Sequence, residues 1–535
     1  MRDNRYDPSA PRFRRASRRL LAASVAVAFA AVSVVSAPPA SAGLLGSVTG
    51  VLTGTVDGTL GLVSGILSPG WDEGAATPPV RMPTVAAAVG ADDMWARGID
   101  GRGVGVALID TGVVPVQGLS GTGKVVNGPD LSFESQADEL RYLDGYGHGT
   151  HMAGIIAGND DGTGSFKGVA PGARLLNVRV GTHDGAVDVS QVVAAIDWVV
   201  AHRNDNGMNI RVINLSYGTD GTQDRRVDPL SFAVENAWRK GIVVVTGAGN
   251  EGTSRASLVN PAVNPYVIAV GAADIRNTAG VSDDVVAPFS SRVSDGRTVD
   301  VVAPGVSITS LRDPGSVIDT EHPNAVVEER YFRGSGTSQA AAVTSGAVAL
   351  LLQARPSLTP DQVKALLRAS ATPIVNASKS AQGAGRIDVH LASLSLVPIG
   401  STQWWTASTG TGSLEAARGT SHVADDGVEL TGEQDIFGQP WNGAAWAAAT
   451  SNGTAWNGGT WNGSEWTGEC WCGTSWAGVS WNGRTWIGDS WTGRTWIGRT
   501  WIGRTWIGRT WIGDDWSGRT WIGRTWIGRT WLSPR

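Results

Sequence analysis

Short apolar runs, each about the length of one buried strand and separated by helical patterns, constrain this chain most. Val104-Gly105-Val106-Ala107-Leu108-Ile109 is such a run, and it stops at Asp110-Thr111-Gly112. Residues 175–178, 243–245 and 267–270 are others. An unbroken apolar run of this length suits a strand covered on both faces, as in a parallel sheet. Residues 187–201 and 229–240 carry helical spacing between the runs. Strands alternating with helices predict an α/β domain with a mostly parallel sheet. In such sheets the site lies beyond the carboxyl ends of the strands. Asp110, Ser216 and Asn250 each stand just past a strand-like run.

A second stretch supplies chemistry. In Gly334-Ser335-Gly336-Thr337-Ser338-Gln339-Ala340-Ala341-Ala342, small residues crowd a serine before an apolar helix over 340–352. The first amides of a helix have no intrahelical partner, so a serine at its mouth has donors beside it for a developing anion. Alone, Ser338 reads first as an N-cap before a core helix. Upstream residues change that balance. Asp110 ends a buried run, and a buried carboxylate needs a partner. His148 lies in Gly147-His148-Gly149-Thr150-His151-Met152-Ala153-Gly154, whose glycines allow close backbone approach. A serine hydroxyl becomes a nucleophile when a base takes its proton, and histidine suits that work near neutral pH. A carboxylate on the far ring nitrogen fixes the tautomer. His148 with His151 could instead serve a metal, but no cysteine or dense third-ligand cluster accompanies them.

Residues 92–395 resemble the subtilisin-like serine proteases (subtilases, peptidase S8). The resemblance rests on 106–112, on 148–154, on Gly336-Thr337-Ser338 and on Gly247-Ala248-Gly249-Asn250-Glu251-Gly252. The order Asp, His, Ser is that family's order. The resemblance implies a three-layer subtilisin-like α/β domain and an endopeptidase acting through an acyl-enzyme. It implies Asp110, His148 and Ser338 as triad and Asn250 as oxyanion donor. Asn214-Leu215-Ser216-Tyr217-Gly218 resembles the segment that pairs with an extended substrate backbone. Ser216, Tyr217 and Gly218 with Gly247, Ala248 and Gly249 are then expected to wall the pocket for the residue before the scissile bond. Those walls are small or apolar and carry no acid, which predicts apolar or aromatic preference, with the pocket floor near Val259. Two residues depart from the family: Gln339 stands where methionine is usual, and Ala342 where proline is. Family members often carry structural calcium. No dense Asp/Glu loop marks a site for it here, and no cofactor or metal is assigned.

Beyond this domain the chain changes texture. Seven arginines precede Leu20, an apolar run covers 20–35, and Ala40-Ser41-Ala42 follows. Residues 1–42 therefore read as a cleaved export signal, the run being short for a membrane span. The mature protein is expected to be secreted, with no membrane span and polypeptides as substrates. Residues 43–91 are Gly-rich and read as a pro-segment or spacer, and 396–440 as a linker. From Trp441 to Trp531 tryptophan fills eighteen of nineteen slots spaced five apart, in the unit Trp-Xaa-Gly-Xaa-Xaa. Period five fits short strands joined by tight turns, β-solenoid-like, or else a disordered tail. Residues 484–535 hold nine arginines against three aspartates. Arginine beside tryptophan suits sugars or anionic polymers, so 441–535 is a candidate cell-wall or polysaccharide contact. The alternative function is a surface-binding protein whose protease activity is secondary or narrow. Cys470 and Cys472 read as substituted repeat positions. The whole chain of 535 residues has net charge −5, and nothing points to nucleic acid.

Overall fold

The computed structural model describes residues 70–71, 78–136, 140–160, 166–293, 296–425, 428–457, 459–462 and 464–465. The expected export signal, most of 43–91 and the repeat beyond 465 lie outside the described residues.

Strands β1 (Gly105–Asp110), β2 (Val125–Asp130), β3 (Arg174–Arg179), β4 (Ile210–Leu215), β5 (Val243–Gly247) and β6 (Ile268–Asp274) pair in the order β2-β3-β1-β4-β5-β6. All of these pairs are parallel. β7 (Val285–Val286) joins β6 antiparallel and β8 (Val301–Pro304) joins it parallel. β1 is buried at all six positions, which is why it reads as a continuous apolar run rather than an alternating one. Register puts Ile109 beside Leu215 and Leu215 beside Thr246. The chain therefore leaves β1, β4 and β5 at one edge, carrying Asp110, Ser216 and Asn250 there together.

Helices cover the sheet in two groups. α1 (Met82–Ala88) and α2 (Ala91–Ala96) precede it; α3 (His148–Ala157), α4 (Val189–His202) and α5 (Pro229–Arg239) lie between strands. The short α6 (Val317–Glu321) precedes α7 (Thr337–Ala354), α8 (Pro360–Ser370), α9 (Lys379–Gln382) and α10 (Val389–Leu394). α7 packs on α3 and on β4, β5, β6 and β8, while α4 packs on α5. α7 is buried from Thr337 to Leu352, so its apolar content runs all round. α8 starts as its sequence predicts: Thr359 and Gln362 form a reciprocal capping box with Pro360 first. No helix among the described residues is long and apolar enough to cross a membrane.

Two expectations need correction. The domain begins before residue 92. Val80 bridges Ile308, and Met82, Val85, Ala86 and Met94 are buried in the main core. The N-cap alternative set aside for Ser338 is absent: Gly336 holds that position, and Ser338 is the second helical residue, fully buried. Residues 396–440 are not a free linker. Leu414, Ala417, Leu430, Ile436 and Phe437 are buried in the main core. Arg418 is buried on α11 (Leu414–Arg418) and donates to Asp188 at 2.6 Å. Asp188 also caps α4, so that carboxylate ties this segment to the helix it starts. Sequence reading missed this because the buried apolar residues here are few and irregularly spaced.

The first tryptophans of the repeat continue the packing. On α12 (Gly443–Asn452), Trp446 donates its indole N–H to Asp197 of α4 at 2.8 Å, and Trp461 donates to the same carboxylate at 3.0 Å. The Thr450 hydroxyl donates to it at 3.0 Å. Each buried indole removes about 150–250 Å² from water, or roughly 4–6 kcal/mol of gross transfer energy. The unit at 446–450 is Trp-Ala-Ala-Ala-Thr; alanine in place of glycine favours the helix found there. Where glycine returns, two-residue strands Trp456–Asn457, Thr460–Trp461 and Ser464–Glu465 pair antiparallel. These strands form an antiparallel meander.

Candidate active site

Asp110 closes β1 at the sheet's carboxyl edge and is 1 % exposed. Its Oδ1 takes the Thr111 N–H at 2.8 Å and faces His148 Nδ1 at 2.7 Å. His148 is the first residue of α3 and is fully buried. The turn into α3 needs Gly147, which holds φ +104°, a conformation open to glycine. His148 Nε2 has no hydrogen-bond partner among the described residues. A carboxylate on Nδ1 leaves Nε2 as the nitrogen that can accept a proton.

A second carboxylate, missed in the sequence reading, holds this corner. Asp144 is buried, and its Oδ1 accepts the Gly147 N–H and the Thr111 hydroxyl, each at 2.7 Å. Its Oδ2 accepts the Thr150 N–H at 2.7 Å. Asp144 thus satisfies amides at the start of α3 and links through Thr111 to Asp110. Burial raises its carboxyl above the ordinary range, opposed by the Thr150, Gly147 and Thr111 hydrogen bonds. The only sequence signal was an aspartate three residues before Gly147, a capping spacing. His151, one turn along α3, is held down to about 3 by burial and by His148, so it is neutral.

Ser338 and Gln339 lie in the first turn of α7, packed against α3. Asn250 follows β5. Its Oδ1 accepts the Thr337 N–H at 2.9 Å and the Thr337 hydroxyl at 3.0 Å. That fixes the amide with its oxygen occupied, and the Nδ2 protons are left as the donors. Sequence alone did not show Thr337 in this orienting role.

The expected substrate walls divide. Ala248 packs with Leu258, Val259 and Ala262 in one apolar cluster, and the Val259 N–H donates to the Ala248 carbonyl at 3.3 Å. Gly249 stands in front of Val259, where a β-carbon would come within 2.8 Å of its side chain. Ser216 and Gly218 are buried. Tyr217 departs from expectation: its side chain is 1 % exposed and belongs to the main core. One acid was overlooked. A β-carbon on Gly249 would also stand 2.6 Å from Glu251 Oε2, a carboxylate that accepts from Ser291.

One occupant was not foreseen. Gly70 and Ser335 form an antiparallel bridge, with the Ser335 N–H on the Gly70 carbonyl at 3.0 Å. Trp71 is 4 % exposed and lies edge-on to His148 at 5.9 Å and to His151 at 5.2 Å between ring centroids. Among the described residues no group of three His, Cys, Asp or Glu side chains converges that could hold a metal ion.

Comparison with known proteins gives the family. The subtilase family (peptidase S8) matches residues 101–385. Serine protease AprX of Bacillus subtilis is 38 % identical over 302 residues, covering 55 % of this chain and 66 % of that protein. Minor extracellular protease Epr of the same organism is 31 % identical, covering 54 % of this chain and 38 % of Epr. Subtilisin DY of Bacillus licheniformis is 36 % identical, covering 59 % of this chain and 99 % of its own length. The chain thus spans about two thirds of AprX and under half of Epr. A buried Asp–His pair at the sheet's carboxyl edge, a serine on the facing helix and a match over more than half the chain have one reading: the chain belongs to the subtilase family, and this domain is a subtilisin-like serine endopeptidase domain.

Proposed function

We propose that the protein is a secreted serine endopeptidase with Asp110, His148 and Ser338 as its triad. The observation that carries this is the buried Asp110–His148 contact at 2.7 Å with Nε2 left unpartnered. Ser338 Oγ attacks the scissile carbonyl and its proton passes to His148 Nε2. Asp110 holds the imidazolium on the other nitrogen. Asn250 Nδ2 and the Ser338 N–H donate to the oxyanion. His148 then returns the proton to the leaving amine, and water releases the acyl group by the same route. The Ala248–Val259 cluster supports an apolar or aromatic side chain before the scissile bond. A cleavage profile dominated by Lys or Arg there would sink that preference and would implicate Glu251.

The test is labelling by a fluorophosphonate serine probe, comparing wild type with Ser338→Ala. Labelling of the wild type alone is expected. Equal labelling of both places the reactive serine elsewhere. The second reading, attachment to cell wall or polysaccharide through 441–535, draws on the Arg/Trp composition of the repeat. It is favoured if the chain stays with cell envelopes while Ser338 takes no label.

A further inference from the structure

The space between His148 and Gly334 is filled by the chain's own Trp71, and the fit is one of shape without polarity. A β-carbon built on Gly334 would stand 2.5 Å from the Trp71 ring and 2.7 Å from Gln339 Nε2. Ring and amide therefore meet at one spot, which is open only because residue 334 is glycine. Trp71, Phe332, Ile318 and Ala325 form one apolar cluster there. Where it meets the ring, Gln339 is fully buried, and neither its Nε2 nor its Oε1 has a hydrogen-bond partner among the described residues. The Trp71 indole N–H has none either. A buried carboxamide without partners is unfavourable, and native structures seldom keep one without a reason.

Chemistry fixes which side of the scissile bond this is. The leaving amine departs toward the group that protonates it, which is His148 in the reading above. Trp71 lies against His148. Gly70 pairs with Ser335, three residues before the nucleophile, and not with the 214–218 segment expected to hold the acyl side. Gly70–Trp71 is therefore lodged where the leaving peptide would lie, bridged to Ser335.

We propose that Gln339 determines specificity on the leaving-group side, selecting a long or aromatic side chain that carries its own hydroxyl or amide. Such a side chain fills the space Trp71 fills and gives the Gln339 amide the partner Trp71 does not. Tyrosine would be taken over phenylalanine, and glutamine over methionine. Methionine at 339 would fill the same volume and remove the amide, so this departure from the family pattern would carry the selectivity. The inference rests on the protease reading of the same site.

The test uses the full chain with Trp71→Ala to empty the space, with and without Gln339→Met. Matched peptides share the acyl side and differ only by Tyr/Phe or Gln/Met at each of the three positions after the scissile bond. With Gln339, kcat/KM at one position should favour Tyr over Phe and Gln over Met by about three- to tenfold, the size of one neutral hydrogen bond. With methionine at 339 both ratios should fall to about one. Gln339→Leu serves as a second apolar variant. An aliquot of each preparation is first titrated with the fluorophosphonate probe, which inactivates the enzyme it labels, and kcat/KM is measured on the untreated remainder. Preparations whose aliquot labels but whose ratios are unchanged overturn this inference alone. Unlabelled enzyme overturns the protease reading beneath it.

Discussion

Asp197 should make this protein more stable as pH falls from 7 to 5, and Asp197→Asn should abolish that gain. The carboxylate is buried on α4 and accepts from Trp446, Trp461 and Thr450. Burial pushes its carboxyl up to about 6, with the three hydrogen bonds acting against the shift. Between the unfolded value of 3.8 and about 6 the folded chain binds the extra proton, so stability rises as pH falls through that window. For pKa values of 3.8 and about 6, moving from pH 7 to pH 5 adds ~1.3 kcal/mol. Asparagine cannot titrate. It keeps one acceptor oxygen for three donors, which costs about 1–3 kcal/mol per donor left unpaired. It also removes the burial cost of the charge, roughly 3 kcal/mol for a shift of this size. The variant should therefore lie near wild type at pH 7 and below it at pH 5. The assay is urea unfolding followed by tryptophan fluorescence at both pH values, in a Ser338→Ala background to prevent self-digestion. Equal pH dependence in the two proteins would refute the reasoning, because the other titrating groups are common to both.

Two further perturbations probe the site. Asn250→Leu removes an oxyanion donor, and kcat per labelled site should fall about 10²–10³-fold with KM little changed; a loss carried by KM would assign Asn250 to substrate binding instead. Asp144→Ala leaves the Gly147 and Thr150 amides and the Thr111 hydroxyl without their carboxylate. It should lower stability by roughly 2–5 kcal/mol and depress kcat per labelled site, with Asp144→Asn intermediate because one oxygen remains. Unchanged stability in both variants, measured by urea unfolding, would show that Asp144 does not hold the start of α3.

Much of the peptidase domain was legible in the chain. β1, β3, β5 and β6 lie where the apolar runs predicted them, and α8 starts at its predicted cap, because burial on both faces and capping chemistry leave local marks. The Asp110–His148 contact was legible for the same reason: each residue stands at the end of an element whose type the pattern declares. Asp144 and Thr337 were not, since a residue that orients another through one hydrogen bond needs no periodicity. Tyr217 was misplaced because a short segment past a strand does not reveal which way its side chain turns. The 396–440 segment was misread for want of spacing, although a single buried Arg418 ties it down.

The sequence by itself determined the α/β class, the strand ends that carry the polar residues and the identity of the chemistry, since each follows from local pattern and residue type. Tertiary structure alone decided three things. It brought the first tryptophans of the repeat onto Asp197, closed Gly70–Trp71 over His148 and left the Gln339 amide buried without a partner. Each depends on residues far apart in the chain meeting in one small volume, and neither composition nor period encodes that meeting.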